Sequence, residues 1–190
     1  MYSKEQISAF QIYLLNNLTK KRYTHSLNVA NEAVKLARTY NAEIQKAYIA
    51  GLLHDICKEM PLSKQKQYVK NSKMNVCDTE LRAEPLWHAI SGAEVVRQEF
   101  KIEDKDILNA IRYHTTARAK MTRLEKIIYL ADLISIDRDF KDVNKMRRIC
   151  YKDLDKAMLE ALKFSINDTV SKSNTIPLTT LNAYNYYSQL

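Results

Sequence analysis

Scarcity of glycine and proline constrains this chain more than any other feature: of 190 residues only Gly51 and Gly92 are glycine and only Pro61, Pro85 and Pro177 are proline. Average usage is roughly 7% and 5%, so positions suited to tight turns are few and long helices are the expected outcome. The scarcity also excludes two chemistries. A phosphate-cradling loop of the GxxxxGK or GxGxxG kind needs several closely spaced glycines, which two distant residues cannot supply. Walker-type ATPases and dinucleotide-binding dehydrogenases are therefore out. With 46% apolar and 27% charged residues the chain has material for one ordinary core, and disorder or fibre formation is excluded.

Periodicity and capping signals predict helices along the whole length. Ser3 and Gln6 read as a capping box opening a helix to about Asn16, followed by a helix from about Thr19 to Tyr40 that Asn41 ends. A more apolar helix is expected over about Ala42 to Cys57. The polar stretch between Pro61 and Glu84 reads as one short helix plus loop. Further helices are expected from Pro85 to Phe100, from Asp104 to about His114, from Met121 to about Ser135, from Asp153 to Ser171 and from Pro177 to Leu190. The charged run Ile136 to Lys145 reads as an ordered surface loop. No repeat, long linker or sustained alternation interrupts the pattern, so the expected class is all-α in one domain, residues 1–190.

The formal charge is +8, which favours anionic partners without choosing among nucleotides, polyphosphates and nucleic acid. Cys57, Cys77 and Cys150 are odd in number and form no CxxC pair, which suits free thiols in a reducing cytoplasm. The start MYSKEQ has no basic-then-apolar run, and the longest apolar stretch, Ala47 to Leu53, is far below the ~20 residues that span a bilayer. A cytoplasmic protein with no membrane partner is expected.

The chain holds four histidines, each with apolar neighbours at helical spacing. His25 shares a face with Val29, Ala33 and Leu36; His114 follows Ile107 and Ile111; His88 shares its face with Gly92 and Val95. His54 ends the run YIAGLL and is followed directly by Asp55, and Asp132 sits inside the apolar segment IIYLADLI. A single histidine on an apolar face is more often a hydrogen-bonded core residue than a ligand, and chance alone gives about 0.2 His-Asp pairs in such a chain. The weight lies in the set: every histidine plus two carboxylates occupies a core-facing position. A buried carboxylate needs a cation or a donor. Six imidazole and carboxylate ligands would suit one or two divalent ions, with iron, manganese, cobalt, nickel or zinc favoured over magnesium.

The order His25, His54-Asp55, His88, His114, Asp132 resembles that of the HD-domain metal-dependent phosphohydrolases, an all-helical superfamily. The segments RYTHSLNVA, AGLLHDICKEM, WHAISGAEVV, YHTTARAKM and LEKIIYLADLISIDRDF resemble the bacterial YqeK family, HD-domain enzymes that cleave diadenosine tetraphosphate symmetrically to ADP. The similarity covers about Arg22 to Val143 (22–143), with 151–190 as helices packed on it, and the closing TLNAYNYY shares the family's look. This resemblance implies an HD-domain helical bundle holding two divalent transition-metal ions, iron first among them. His25, His54, Asp55 and Asp132 would hold one, and Asp55, His88 and His114 the other. Asp55 would bridge them, and the nucleophile would be a metal hydroxide, giving two nucleoside diphosphates. Two departures stand out: Ala117 replaces the glycine usual after HTT, and Ser135-Ile136-Asp137 replaces a usual Glu-Pro. Alanine strains at positive φ, so the loop near Thr116 is where the departure is expected to matter.

Around such a centre a polyphosphate needs cations and hydroxyls. Lys58 follows Asp55 by three residues, and one helical turn would return its ammonium to a phosphate beside the metals, giving it a catalytic role next to Asp55. Arg22, one turn before His25, and Arg138, beyond Asp132, are placed similarly; Thr115, Thr116 and Arg118 are further substrate-binding candidates. Cys57 is read as a core residue, and Trp87 as core more readily than as a base platform. The partners expected are a dinucleoside polyphosphate and its ADP product, with no nucleic acid; a homodimer through helical surface is compatible with the sequence. Two other readings remain open: the same site acting on a nucleoside monophosphate or guanosine polyphosphate, and a helical module that binds nucleotide or RNA without turnover.

Overall fold

Five helices begin where the sequence supplies an oxygen for the orphan amides of a first turn. Ser3 accepts from the Gln6 amide in a reciprocal capping box, Thr19 from Arg22, Asp104 from Asp106 and Ile107, Thr122 from Glu125, and Asp153 from Asp155 and Lys156. In the computed structural model, which describes residues 2–190, the helices are α1 (Lys4–Asn17), α2 (Lys20–Thr39), α3 (Ile44–Leu53), α4 (Leu62–Lys70), α5 (Asp78–Leu81), α6 (Trp87–Glu99), α7 (Lys105–Tyr113), α8 (Arg123–Ile134), α9 (Val143–Cys150), α10 (Leu154–Ser171) and α11 (Leu178–Tyr187). Among the described residues 69% are helical and none is in a strand, so the all-α class holds. None of these helices is long and apolar enough to cross a membrane.

Four expectations are corrected. The third helix stops at Leu53 rather than Cys57, because residues 54–60 turn through tighter i+3 bonds: Ile56 to Leu53, Lys58 to Asp55 and Met60 to Cys57. The stretch from Pro61 to Glu84 holds two helices, α4 and α5, the second capped reciprocally by Cys77 and Glu80. The loop expected over residues 136–145 gives way at Val143 to α9, launched from Asp142 at φ 69°. Pro85 does not open α6 itself; it sits in a short 3-10 turn, Glu84–Leu86, that leads into it.

Leu14, Val29, Leu36, Ile49, Leu52, Ile107, Ile127, Ile128, Leu130 and Leu162 are fully buried in one main core drawn from α1–α3 and α6–α10, onto which Tyr187 of α11 docks, while Val69 of α4 packs in a small separate cluster with Trp87 and Ile90. Each such side chain contributes ~1.5–3 kcal/mol relative to exposure. α2 packs against both α3 and α8, and α7 lies between α6 and α8. The α2–α3 crossing is tight: a Cβ on Gly51 would lie 2.8 Å from the Ala30 Cα, so only glycine lets the two backbones approach this closely. That contact lies near the residues these helices carry to the centre, His25 on α2 and His54 just past α3.

Candidate metal centre

The four histidines stand in a row. Ring centroids are 5.4 Å apart from His25 to His54, 4.9 Å from His54 to His114 and 5.2 Å from His114 to His88. Each comes from a different part of the fold: α2, the turn after α3, the end of α7 and the first turn of α6. Asp55 lies against the inner part of the row, with Oδ1 3.4 Å from His88 Nε2 and 3.5 Å from His114 Nε2, and Oδ2 3.5 Å from His54 Nε2. Asp132 closes the other end, its Oδ1 3.0 Å from His25 Nε2 and 3.9 Å from His54 Nε2.

Local backbone geometry chooses the free nitrogen of each ring. His54 donates its Nδ1–H to the Gly51 carbonyl (2.8 Å), His88 to Pro85 (2.7 Å) and His114 to Ile111 (2.7 Å), in each case three residues back. His25 donates from Nδ1 to the Asp137 carboxylate (2.7 Å). All four rings therefore turn Nε2 toward the two aspartates, with the tautomer and orientation set by an outer partner, as metal-ligating histidines require. Burial, with Lys58 beside it, lowers the His88 imidazole to about 3, and burial also lowers His114. Both rings are thus neutral donors. Burial opposes ionisation of Asp55 and Asp132, but the surrounding imidazoles outweigh it and hold both carboxyls below their ordinary range.

The donor set fits divalent metal on evidence internal to the structure. His54 Nε2 and Asp55 Oδ1 are buried without a hydrogen-bond partner, a costly condition for two good ligand atoms at one spot. Three trios, His25-His54-Asp55, His54-His114-Asp132 and Asp55-His88-His114, each bring one ligand atom per residue within 4.8 Å of one another.

Chain cations crowd the edge of this cluster. Arg22 Nη1 lies 2.8 Å from Asp55 Oδ2, Lys58 Nζ lies 3.1 Å from His88 Nε2, and Arg138 donates from Nη2 to Asp132 Oδ1. Thr115 Oγ1 sits 3.2 Å from His88 Nε2. A cavity of about 690 Å³ opens from the His25 end, bounded by Arg22, Arg138 and Thr115 and farther out by Phe140 and Phe164, whose rings stack at 4.6 Å.

Two sequence candidates are not brought here. Arg118 makes a bidentate pair with the buried Glu125 at 2.7 and 2.8 Å and lies over the Tyr113 ring, away from the cavity. The Thr116 side chain is buried and its hydroxyl bonds to the Ala117 carbonyl. Trp87 is core: its indole N–H bonds to the Glu80 and Leu81 carbonyls. Burial pushes the Cys57 thiol up to about 12, which removes it as a nucleophile. Asp137, which orients His25, escaped the sequence reading. It lies outside every helix, and only the spacing of a charged residue five positions after Asp132 hinted at it.

The HD domain family model matches residues 22–137. The symmetrical bis(5'-nucleosyl)-tetraphosphatase of Bacillus subtilis is 38% identical over 169 residues, covering 89% of this chain and 90% of that protein. Its namesake from Staphylococcus aureus is 36% identical over 173 residues, covering 90% and 89%. A crystal structure from Clostridium acetobutylicum, described as a predicted HD superfamily hydrolase involved in NAD metabolism, superposes with a TM-score of 0.93 at 39% identity, covering 100% of this chain and 98% of that one. Carried by its own residues and by relatives matched along nearly their whole length, the chain belongs to the HD-domain superfamily and, within it, to the family of the symmetrical bis(5'-nucleosyl)-tetraphosphatases.

Proposed function

We propose that the protein hydrolyses diadenosine tetraphosphate and related dinucleoside tetraphosphates to two nucleoside diphosphates, using two divalent transition-metal ions, iron before manganese, cobalt, nickel or zinc. His25, His54, Asp55 and Asp132 hold one ion and Asp55, His88 and His114 the other. The observation that carries the reading is the row of four Nε2 atoms facing two carboxylates, with His54 Nε2 and Asp55 Oδ1 left unmet in a buried place. Four imidazoles against two carboxylates favour borderline metals over magnesium. When bound, such a pair of ions supplies an acidified water and charge neutralisation for phosphoryl oxygens.

The chain's own residues do the rest. Arg22, 2.8 Å from Asp55 Oδ2, lines the cavity mouth, where its guanidinium would meet a phosphate. Arg138 at Asp132 stands in the same relation at the opposite carboxylate. Lys58, held between His88 and Asp55, is about a third exposed and places an ammonium on the inner face. Thr115 offers a hydroxyl beside it. Cations thus flank the row on both sides, which centres a tetraphosphate on it and exposes an inner phosphorus to attack. Breaking the bond between the two inner phosphates leaves a diphosphate on each side, and its new charge rests on Arg or Lys donors.

The test is product chromatography of diadenosine tetraphosphate hydrolysed in isotopically labelled water, with the bound metals quantified. ADP alone is expected at early times, with label in a single ADP of each pair. Equal early AMP and ATP would overturn the symmetrical cut. Inertness toward the tetraphosphate with rapid cleavage of a mononucleotide would transfer the site to the other substrate class.

A further inference from the structure

A second cavity, of about 450 Å³, begins at the other end of the histidine row. Its inner rim is Thr115, whose hydroxyl lies 3.2 Å from His88 Nε2, and Pro85, whose carbonyl takes the His88 Nδ1–H. The main cavity instead touches the row at His25, Asp132 and His114. Thr115 and Ser165 line both spaces, so the two are neighbours with these side chains between them, Thr115 standing beside the cluster.

The second space has fixed walls. One is the turn that carries Arg82, Glu84 and Pro85; another is α10, through Ser165 and Thr169; the third is the 174–177 connection with α11. Thr180 of α11 donates to the Thr116 carbonyl at 2.7 Å, and the Leu178 amide donates to Thr79 Oγ1 at 3.2 Å, which tie the last helix across the opening. The lining is mostly hydroxyls, with one amide, two prolines and the apolar Ala83 and Leu86, and no lysine; its two charged groups are the exposed Glu84 and Arg82, and Arg82 makes no ion pair among the described residues. Such a space is too poor in charge for a polyphosphate. It is of a size that takes a small ligand, and its hydroxyl, amide and planar guanidinium groups suit a ribose and a base.

We infer that this cavity is a second nucleoside subsite: it receives the nucleoside opposite the one in the main cavity, so that a dinucleoside substrate lies across the row with one end in each. The inference rests on the tetraphosphatase reading and deepens it, since a substrate with two identical ends needs two places to put them. It also gives α11 a role beyond docking, as the wall of a binding site.

The test compares diadenosine tetraphosphate with adenosine 5'-tetraphosphate, which has the same four phosphates and one nucleoside; water added across its central anhydride gives ADP and pyrophosphate. Two variants are used, Thr169→Trp, which fills the space, and the surface change Arg82→Ala, which leaves the core alone. Both are expected to lower kcat/KM for the dinucleoside by ~10-fold or more, with kcat/KM for the mononucleoside substrate within about twofold of wild type. An equal fall on both substrates would assign these residues to the fold or the metal centre and overturn the inference. So would wild-type kinetics on the dinucleoside in both variants. Wild-type protein inert toward the dinucleoside would overturn the tetraphosphatase reading first, and the subsite with it.

Discussion

Two sets of buried carboxylates differ in how the chain treats them. Glu80, Glu94 and Glu125 are fully buried, and each is matched to an arginine: Arg112 at 2.8 Å, Arg97 at 2.6 Å and Arg118 at 2.7 Å. Every oxygen of the three is met. Glu80 also receives the Cys77 amide, and Glu94 receives Ser72, the Lys73 amide and Gln98. Asp55 is equally buried but keeps Oδ1 without a hydrogen bond, and its nearest chain cations, Arg22 at 2.8 Å and Lys58 at 3.9 Å, are both partly exposed. A carboxylate met at both oxygens holds elements together, as Glu80 holds α5 to α7 through Arg112, although the Nε and Nη1 of that arginine have no partner; a carboxylate left half-met costs stability and persists where something else completes it.

The largest expected effect comes at Asp55. Asp55→Ala should lower kcat by ~10³ or more, since it removes the carboxylate shared by both proposed ion sites, and chelation of the wild type should match it. Its stability, measured in chelator by urea denaturation, should stay within ~1 kcal/mol of wild type, because a partly unmet buried charge is removed. Glu80→Ala should do the reverse. It strands Arg112, fully buried, without a counter-charge, and should cost ~3–5 kcal/mol with little change in kcat per folded molecule. Equal destabilisation by the two substitutions would erase the distinction between the sets.

Asp137→Ala comes next. This carboxylate fixes His25 through Nδ1 and also takes an N–H from Asn28 at 3.0 Å, so its loss frees the ring to rotate. A ~10–100-fold weaker metal affinity is expected, read by competition against a chromophoric chelator. Unchanged affinity would mean that packing alone holds the ring and that Asp137 belongs with the exposed charges around it.

What the sequence could and could not yield follows the same division. Local signals were readable: the Ser3–Gln6 box, the oxygen caps at Thr19, Asp104, Thr122 and Asp153, and the end of α2 before Asn41 at φ 49°. The six centre residues were readable too, because apolar faces at helical spacing made each one conspicuous. The three Glu–Arg pairs were not all so. Glu94 and Arg97 lie on one turn, but Glu80 and Arg112 are 32 positions apart, and neither residue differs locally from a solvated charge. Arg118 was misplaced for that reason, since its partner seven residues on was just another glutamate. α9 was missed because its entry at Asp142 is left-handed and it is only eight residues long, half of them polar, so neither a cap nor a long apolar face announced it.

The smallest expected effect tests the one departure from family pattern that the backbone makes costly. Ala117 has φ 57° and is fully buried, with its amide bonded to the Tyr113 carbonyl at 2.9 Å. The left-handed conformation costs a non-glycine residue ~1–2 kcal/mol. Ala117→Gly relieves that strain but loses the burial of a methyl, ~0.8 kcal/mol, and loosens the unfolded chain by a further ~0.4–1 kcal/mol. These contributions nearly cancel, so the glycine variant should lie within ~1 kcal/mol of wild type in urea midpoint and should hydrolyse the tetraphosphate at a similar rate. Ala117→Val, which adds β-branching to a left-handed residue in a closed space, should destabilise clearly. The contrast matters because Ala117 follows Thr115 and Thr116 at the wall between the two cavities. A glycine variant stabilised by more than ~1 kcal/mol would show that the methyl contributes less there than an ordinary buried methyl. A faster glycine variant at unchanged stability would show instead that alanine holds Thr115 away from the substrate.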